Sequence, residues 1–493
     1  IVVDGDITGT LGGINARNDD GGSELYISHT GDIVSSGGHG IDALTSSTPL
    51  TIYNYGDIDA GGDGISAVAT SFDNVYVNQS GDIDAGGRGI FASAAHGTVT
   101  VDSSGDFTSV GTGIHLLSSS SDASASHYGD VTSTGGYGIM VEAPDGGADL
   151  IGAGTIRAYN DGIFVQSTGL GESTSVIWTG DITSQTGKGV YAYAANDFVT
   201  VETNGDISSY GDSIFAMTAS FAGATVTHSG NLTSADGNGV YAYAPGGSVG
   251  VTVDDSVINA SGYGIFAQTK GANAGDGVTV EFNGTIAGSW IGIQAEANAG
   301  AVLVTSVGSI TAWDHGIWAA NTGSQSVTVN QTGGIDADSG HAIYAYTPNG
   351  AVSVIAKGDL FQSGMTTIYA ENKGSASVTV NVTGDIDSGD AGITALSSQG
   401  MVTVTMRGDI DANGHGIYAE NKGSATVTVD SIGDIDAGGN AIFAASSQGI
   451  IDVDSVGDLY AGGYGIYAVN TGGNVVTVNS TGDIDAGNRG IHA

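Results

Sequence analysis

Apolar and polar residues alternate along this chain with period two, in short bursts separated by glycine. In the stretch that begins at Gly384, Ile386 and Ser388, then Ile393 and Ala395, then Val402 and Val404 share one phase, with Asp387 and Thr403 in the other. That alternation is the mark of a half-buried β-strand, because successive side chains leave a strand on opposite sides. Three strands per unit follow, here the first, second and third in chain order. Glycine clusters such as Ala-Gly-Gly separate the first two and supply the positive-φ corners a tight turn needs. Helical periodicity is absent, so no helix is predicted.

The unit recurs. "GDIDAGGRGIFA" at residues 81–92 returns almost unchanged as "GDIDAGGNAIFA" at residues 433–444. With the leading glycine as a marker, 20 copies run from Gly5 to Gly482, Ser256 standing in for glycine in one. A fixed period of about 25 residues signals a solenoid. The chain is therefore predicted to be all-β, a single parallel β-helix (β-solenoid) of about 20 coils with three short strands each. It fills residues 1–493 as one continuous domain without evident caps. Strands about 4.8 Å apart would stack to a rod roughly 95 Å long, right-handed as parallel crossovers nearly always are.

A second period is superposed. "IYAENKGSASVTV" from Ile368 reappears as "IYAENKGSATVTV" from Ile417, and "VYAYA" at Val190 reappears at Val240. From Ile293 onward the distance from the second-strand Ile to the next marker alternates between 15 and 16 residues. The unit of duplication is a pair of coils, which favours a length-setting scaffold over a single evolved active site. The phrase "GDIxAxGxGIxA...VTV", over essentially the whole chain, resembles the passenger repeats of bacterial autotransporters and related secreted surface β-solenoids. That resemblance implies an extracellular or cell-surface adhesin, fibre or matrix protein.

Composition narrows the classes. The 85 Gly against 4 Pro rule out collagen, and a hydrophobic fraction of 40% implies a packed core. Acidic residues number 52 against 10 basic ones, a net charge of -42, which repels nucleic acid and anionic membranes. Without cysteine there is no disulfide, thiolate metal site or cysteine nucleophile. No run of 18 apolar residues predicts a transmembrane segment, and no export signal is visible. The chain opens and closes in mid-phrase and reads as a mature or excised piece of something longer.

Three outward ladders carry the candidate chemistry. Asp follows the marker in 14 of the 20 coils, and the densest block is Asp385, Asp387, Asp409, Asp411, Asp434 and Asp436. Carboxylates about 4.8 Å apart repel by roughly 0.9 kcal/mol in water and about 3.5 kcal/mol at an effective dielectric of 20, which invites a counter-ion such as calcium. A solvated acidic face is the plainer reading. The second ladder is aromatic: Phe91, Phe164, Tyr191, Phe215, Tyr241, Phe266, Trp318, Tyr344, Tyr369, Tyr418, Phe443 and Tyr467. Rings pointing out of a sheet mark a partner surface, for a neighbouring rod or for glycans, or stack on one another to stabilise the sheet. The third ladder is Thr between Val pairs, for which β-propensity suffices. The triplets at Asn78, Asn330, Asn381 and Asn479 match the glycosylation acceptor pattern and are read as turn chemistry.

Enzymatic catalysis on a solenoid needs a local, non-repeating cluster in a cleft. Here Asp follows the repeat, and His39, His315, His341 and His415 share similar turn positions, where solvated side chains are expected. The functional expectation is a non-enzymatic extracellular rod, a surface or matrix fibre subunit that self-associates laterally or end to end. The alternative is a passenger-like adhesin that binds glycans or cell surfaces as a single rod.

Overall fold

The computed structural model describes residues 1–19, 22–169 and 172–493. These form two compact units, Ile1–Ala244 and Pro245–Ala493. Each unit is a parallel β-solenoid, and no helix occurs among the described residues. Ten second strands are stacked in the first unit, from Ile14–Asn18 to Val240–Ala244, and ten in the second, from Ile265–Thr269 to Ile491–His492. Strand residues pair with their repeat equivalents in most coils: Ile83 lies between Ile58 and Phe107, and Ile410 between Ile386 and Ile435. The three strands of a coil fall into two sheets, because the third strand and the next first strand lie in the same one.

Alternation fixes the core. Along Val402–Arg407, Val402, Val404 and Met406 are buried while Thr403, Thr405 and Arg407 face out. The marker glycine bends the chain between third and first strands, and its backbone demands glycine. Gly408 sits at φ +142, and a Cβ there would lie 2.3 Å from the Gly384 carbonyl oxygen. Left-handed φ and a blocked Cβ together explain why the marker is almost invariant along the chain.

This bend aims marker carbonyls into the core, where they need donors. In several coils the side chain two residues before the marker, which the alternation turns inward, supplies one. Gln79 Nε2 donates to the carbonyls of Gly56 and Gly81, both at 3.1 Å. Gln331 Nε2 donates to those of Gly308 and Gly333 at 2.8 and 3.2 Å. Trp178 Nε1 donates to the Gly154 carbonyl at 3.0 Å, and His228 Nε2 lies 2.9 Å from that of Gly230. Elsewhere the column holds Ala356, Val382 and Met406, and the buried hydroxyls of Ser306, Ser431 and Ser455 have no hydrogen-bond partner among the described residues, so the backbone reason holds for the longer polar side chains.

The corner after the second strand explains the doubled period. In the second unit the last inward residue of that strand alternates: Asn321, Thr347, Asn372, Ser397, Asn421, Ser446, Asn470. Each Asn donates Nδ2 to a glycine carbonyl of the preceding corner, as Asn372 does to Gly350 and Asn421 to Gly400. Its Oδ1 accepts the N–H of the glycine two residues on, 2.7 Å for Asn372 to Gly374 and for Asn421 to Gly423. Thr347, Ser397 and Ser446 instead accept from Gly350, Gly400 and Gly449, three residues on, at 3.1, 2.8 and 2.8 Å. The Asn corner is the longer one, so a coil of one kind is hydrogen-bonded to a coil of the other.

Candidate functional site: outward ladders and a break in the repeat

The marker aspartates are exposed, yet they serve the backbone. Each accepts, on Oδ1, the backbone N–H of its counterpart in the next coil. In the second unit Asp385 donates to Asp359 at 3.0 Å, Asp409 to Asp385 at 2.9 Å, and Asp434 to Asp409 and Asp458 to Asp434 at 2.8 Å. In the first unit the same ladder runs from Asp6 through Asp32, Asp57, Asp82 and Asp106 to Asp130. The sheet supplies no acceptor for that N–H beside the glycine bend, and the carboxylate substitutes for one. One oxygen of each marker carboxylate is thereby committed.

The second acidic column is different. Asp387, Asp411 and Asp436 are direct neighbours on successive first strands, with Phe361 preceding them and Tyr460 following. Together with Asp359, Asp385, Asp409 and Asp434 they line a shallow groove of about 520 Å³ along the outside of the sheet. The six aspartates singled out by the repeat therefore share one surface in the second unit. The negative charge of Asp458, with further aspartates nearby, raises the pKa of the exposed Tyr460 phenol. Among the described residues no group of three or more His, Asp or Glu is arranged to enclose a metal ion.

The aromatic ladder points outward but is half-buried, because its rings cover one another. Phe164, Tyr191, Phe215 and Tyr241 stack in the first unit at centroid separations of 4.6, 5.1 and 5.0 Å, within 4° of parallel. In the second unit Trp318, Tyr344 and Tyr369 stack at 4.2 and 5.5 Å, and Tyr418, Phe443 and Tyr467 at 4.4 and 5.2 Å. Gln294 precedes the first of these runs, and Thr394 separates the two. The phenols of Tyr369 and Tyr418 donate to Glu371 and Glu420, two residues along the same strand, at 3.1 and 3.2 Å. Burial, with the glutamate charge behind it, pushes Tyr344 and Tyr418 up to about 12. Phe91, beside His115 in the first unit, carries the Arg88 guanidinium 3.7 Å from its ring centre. Phe266, in the second unit, packs against Tyr263 with centroids 5.3 Å apart. The ladder thus braces the sheet through its stacked rings.

Of the four turn histidines, His39 has a side chain 42% exposed and His415 is half-buried, whereas His315 and His341 differ from the expectation of solvated side chains. His315 and His341 are both 8% exposed, with rings stacked 5.4 Å apart. The Nδ1 of His315 accepts the backbone N–H of His341 at 2.8 Å, as that of His415 does for Asn440 at 3.0 Å. These rings repeat the backbone service of the marker aspartates at another corner. An acceptor Nδ1 carries no proton, and burial lowers the pKa of both His315 and His341.

Two surface features escape the repeat reading. In the first unit Tyr26, Tyr53, Tyr55 and Tyr76 cluster on the outer face of three successive third strands, Tyr53 lying 5.8, 6.4 and 5.6 Å from the other rings. In the second unit Trp290 and Trp313 leave the corner before successive second strands 54% and 60% exposed. The regularity of the coil fails beside them. The strands Val249–Ala260, Val278–Ser289 and Val302–Ala312 run unbroken through the marker position, with register shifts at Val253/Ser256 and Ile286/Ser289. Loss of repeat phase between Ser256 and Trp313 was the available sequence signal.

No protein-family model, curated protein or solved structure matches the chain. The fold defines it as a tandem-repeat β-solenoid.

Proposed function

We propose that this chain is a non-enzymatic structural solenoid of the cell exterior, a surface or matrix fibre subunit that self-associates side to side or end to end, with calcium between its acidic faces. The observation that carries the reading is the double acidic column of the second unit. The marker carboxylates keep one oxygen free, and Asp387, Asp411 and Asp436 present theirs on a flat sheet. Calcium takes six to eight oxygen ligands in flexible geometry. Such a column supplies part of that shell, and a second acidic face supplies the rest, which couples ion binding to association. Most other polar groups on the inner face and corners are spent on joining one coil to the next, as expected of a scaffold. The test is negative-stain imaging of the purified chain with calcium and then with a chelator. Filaments or bundles that form with calcium and disperse in chelator support the reading, and single particles under both conditions overturn it.

A second reading, a passenger-like adhesin working as a single particle, is favoured by the break in the repeat. Repeats bear structure, and Trp290 and Trp313 stand where the repeat has been abandoned.

A further inference from the structure

Three of the chain's four tryptophans fall within residues 290–318. Trp290 and Trp313 occupy the same corner on adjacent coils: the N–H of Trp313 donates to the Ser289 carbonyl at 2.9 Å, and that of Asp314 to the Trp290 carbonyl at 2.8 Å. The neighbouring coils carry Ser261 and Gly262, and Asp338 and Ser339, at that corner, so exposed indoles are confined to two coils and extend no ladder. The local backbone is built to present them. Gly288, at φ +72, is the additional residue in a β-bulge between Ile286 and Ser289. A bulge adds one residue and re-aims the side chains that follow, and bulges concentrate beside functional sites. Without it, Trp290 would fall out of step with Trp313.

Polar groups follow the two tryptophans on the same coils. The aromatic ladder is interrupted by Gln294, the register neighbour of both Phe266 and Trp318. Asp314 sits directly after the Trp313 corner. We infer that Trp290 and Trp313, with Asp314 and with Gln294 on the strand that follows, form a binding surface for a neutral polysaccharide. The apolar faces of its sugar rings lie on the indoles, and its hydroxyls meet the Asp314 carboxylate and the Gln294 amide.

The choice of partner follows from chemistry. A stable protein interface buries about 800 Å² on each side around an apolar centre, and two indoles flanked by Ser261, Gly262, Asp338 and Ser339 provide no such centre. A net charge of -42 disfavours anionic polymers. A sugar ring offers both an apolar face and hydroxyls, the combination that aromatic side chains with a few placed polar groups recognise. The inference rests on the adhesin reading for its class of partner and needs neither calcium nor fibres.

The test uses the whole chain in native gels containing dextran, hydroxyethyl cellulose, laminarin or, as an anionic control, alginate. Retardation in at least one neutral gel is expected, with Trp290→Ala and Trp313→Ala each weakening it about three- to tenfold. Circular dichroism of each variant checks the fold, which these exposed positions should leave intact. Quenching of intrinsic fluorescence by oligosaccharides of the retarding polymer, compared between parent and variants, gives a second readout, since of the other two tryptophans Trp178 is buried in the other unit and Trp318 is stacked on Tyr344. Absence of retardation in every neutral gel overturns the inference, as does retardation that both variants retain or that alginate alone produces. Self-association lost in the variants without sugar binding would assign the patch to a second copy of the chain instead. Calcium filaments from a chain indifferent to all four polymers would leave the fibre reading standing and remove this one.

Discussion

Acid should loosen the first unit through two histidines buried in its core. His127 lies between Phe107 and Trp178, with ring centroids 4.7 and 6.4 Å away, and its Nδ1 is 2.9 Å from Ser103 Oγ. His228 is held by Thr203 Oγ1 at 2.9 Å and by the Gly230 carbonyl at 2.9 Å. Burial pushes both down to about 4, against the weaker opposing pull of the Gly129 and Gly230 carbonyls and the nearby aspartates. An unfolded histidine titrates near 6.5. Between these values the unfolded chain binds protons that the folded chain refuses, so stability is complete above about pH 6.5 and is lost as pH falls toward 4. At pH 5 the loss is about 2 kcal/mol for each ring, or roughly 4 kcal/mol together. Glutamine already fills this column at positions 79 and 331 and donates to the marker carbonyls, so His127→Gln with His228→Gln removes the titration and keeps the bonding. Hydrogen exchange of Ala123–Tyr128 and Ala224–Ser229, corrected for the intrinsic pH dependence, reads the effect. The parent should open about thirtyfold more at pH 5 than at pH 7 around each histidine, and the double variant should not. Parallel loss of protection in parent and variant would refute the reasoning, because it would place the acid response in the many carboxylates.

Two further substitutions test the fold logic. Asn421→Ala removes the partner of the Gly400 carbonyl and of the Gly423 N–H; two buried backbone groups left unpaired should cost about 2–4 kcal/mol, whereas Asn421→Ser should recover part of that, as urea denaturation will show. Gly408→Ala forces a Cβ to within 2.3 Å of the Gly384 carbonyl at φ +142 and should cost about 3 kcal/mol or more. A melting temperature unchanged in that variant would remove the bend from the account.

The β-solenoid was legible because its determinants are periodic. A strand phase such as Val402, Val404 and Ala395 repeats at about 25 residues, and the register follows once the marker glycines are aligned. The acidic block was legible for the same reason, since Asp387, Asp411 and Asp436 occupy one register position. What stayed hidden was the work of side chains on the backbone. Nothing in "GD" states that the aspartate accepts an N–H from the next coil, because the need arises only when the glycine bend removes a sheet partner. The polar residues two before the marker had inward phase and polar chemistry, a contradiction visible at His29, Asn54 and Gln79 and explained only by an inward carbonyl. The 15 and 16 alternation was visible, but its cause, an asparagine bonded into a neighbouring serine or threonine corner, required three dimensions. Trp290 was lost among the repeats because a one-residue bulge shifted it out of phase.

The decisive question is whether the second acidic column joins one chain to another through calcium. Sedimentation velocity of the whole chain beside an Asp387→Asn, Asp411→Asn, Asp436→Asn variant, with calcium and with chelator, decides it. The marker aspartates are untouched in that variant, so the coils keep their backbone ladder. Faster-sedimenting species in the parent with calcium, absent in chelator and absent in the variant, are the predicted result. A parent that sediments as one slow species with calcium, or a variant that assembles as the parent does, contradicts the account.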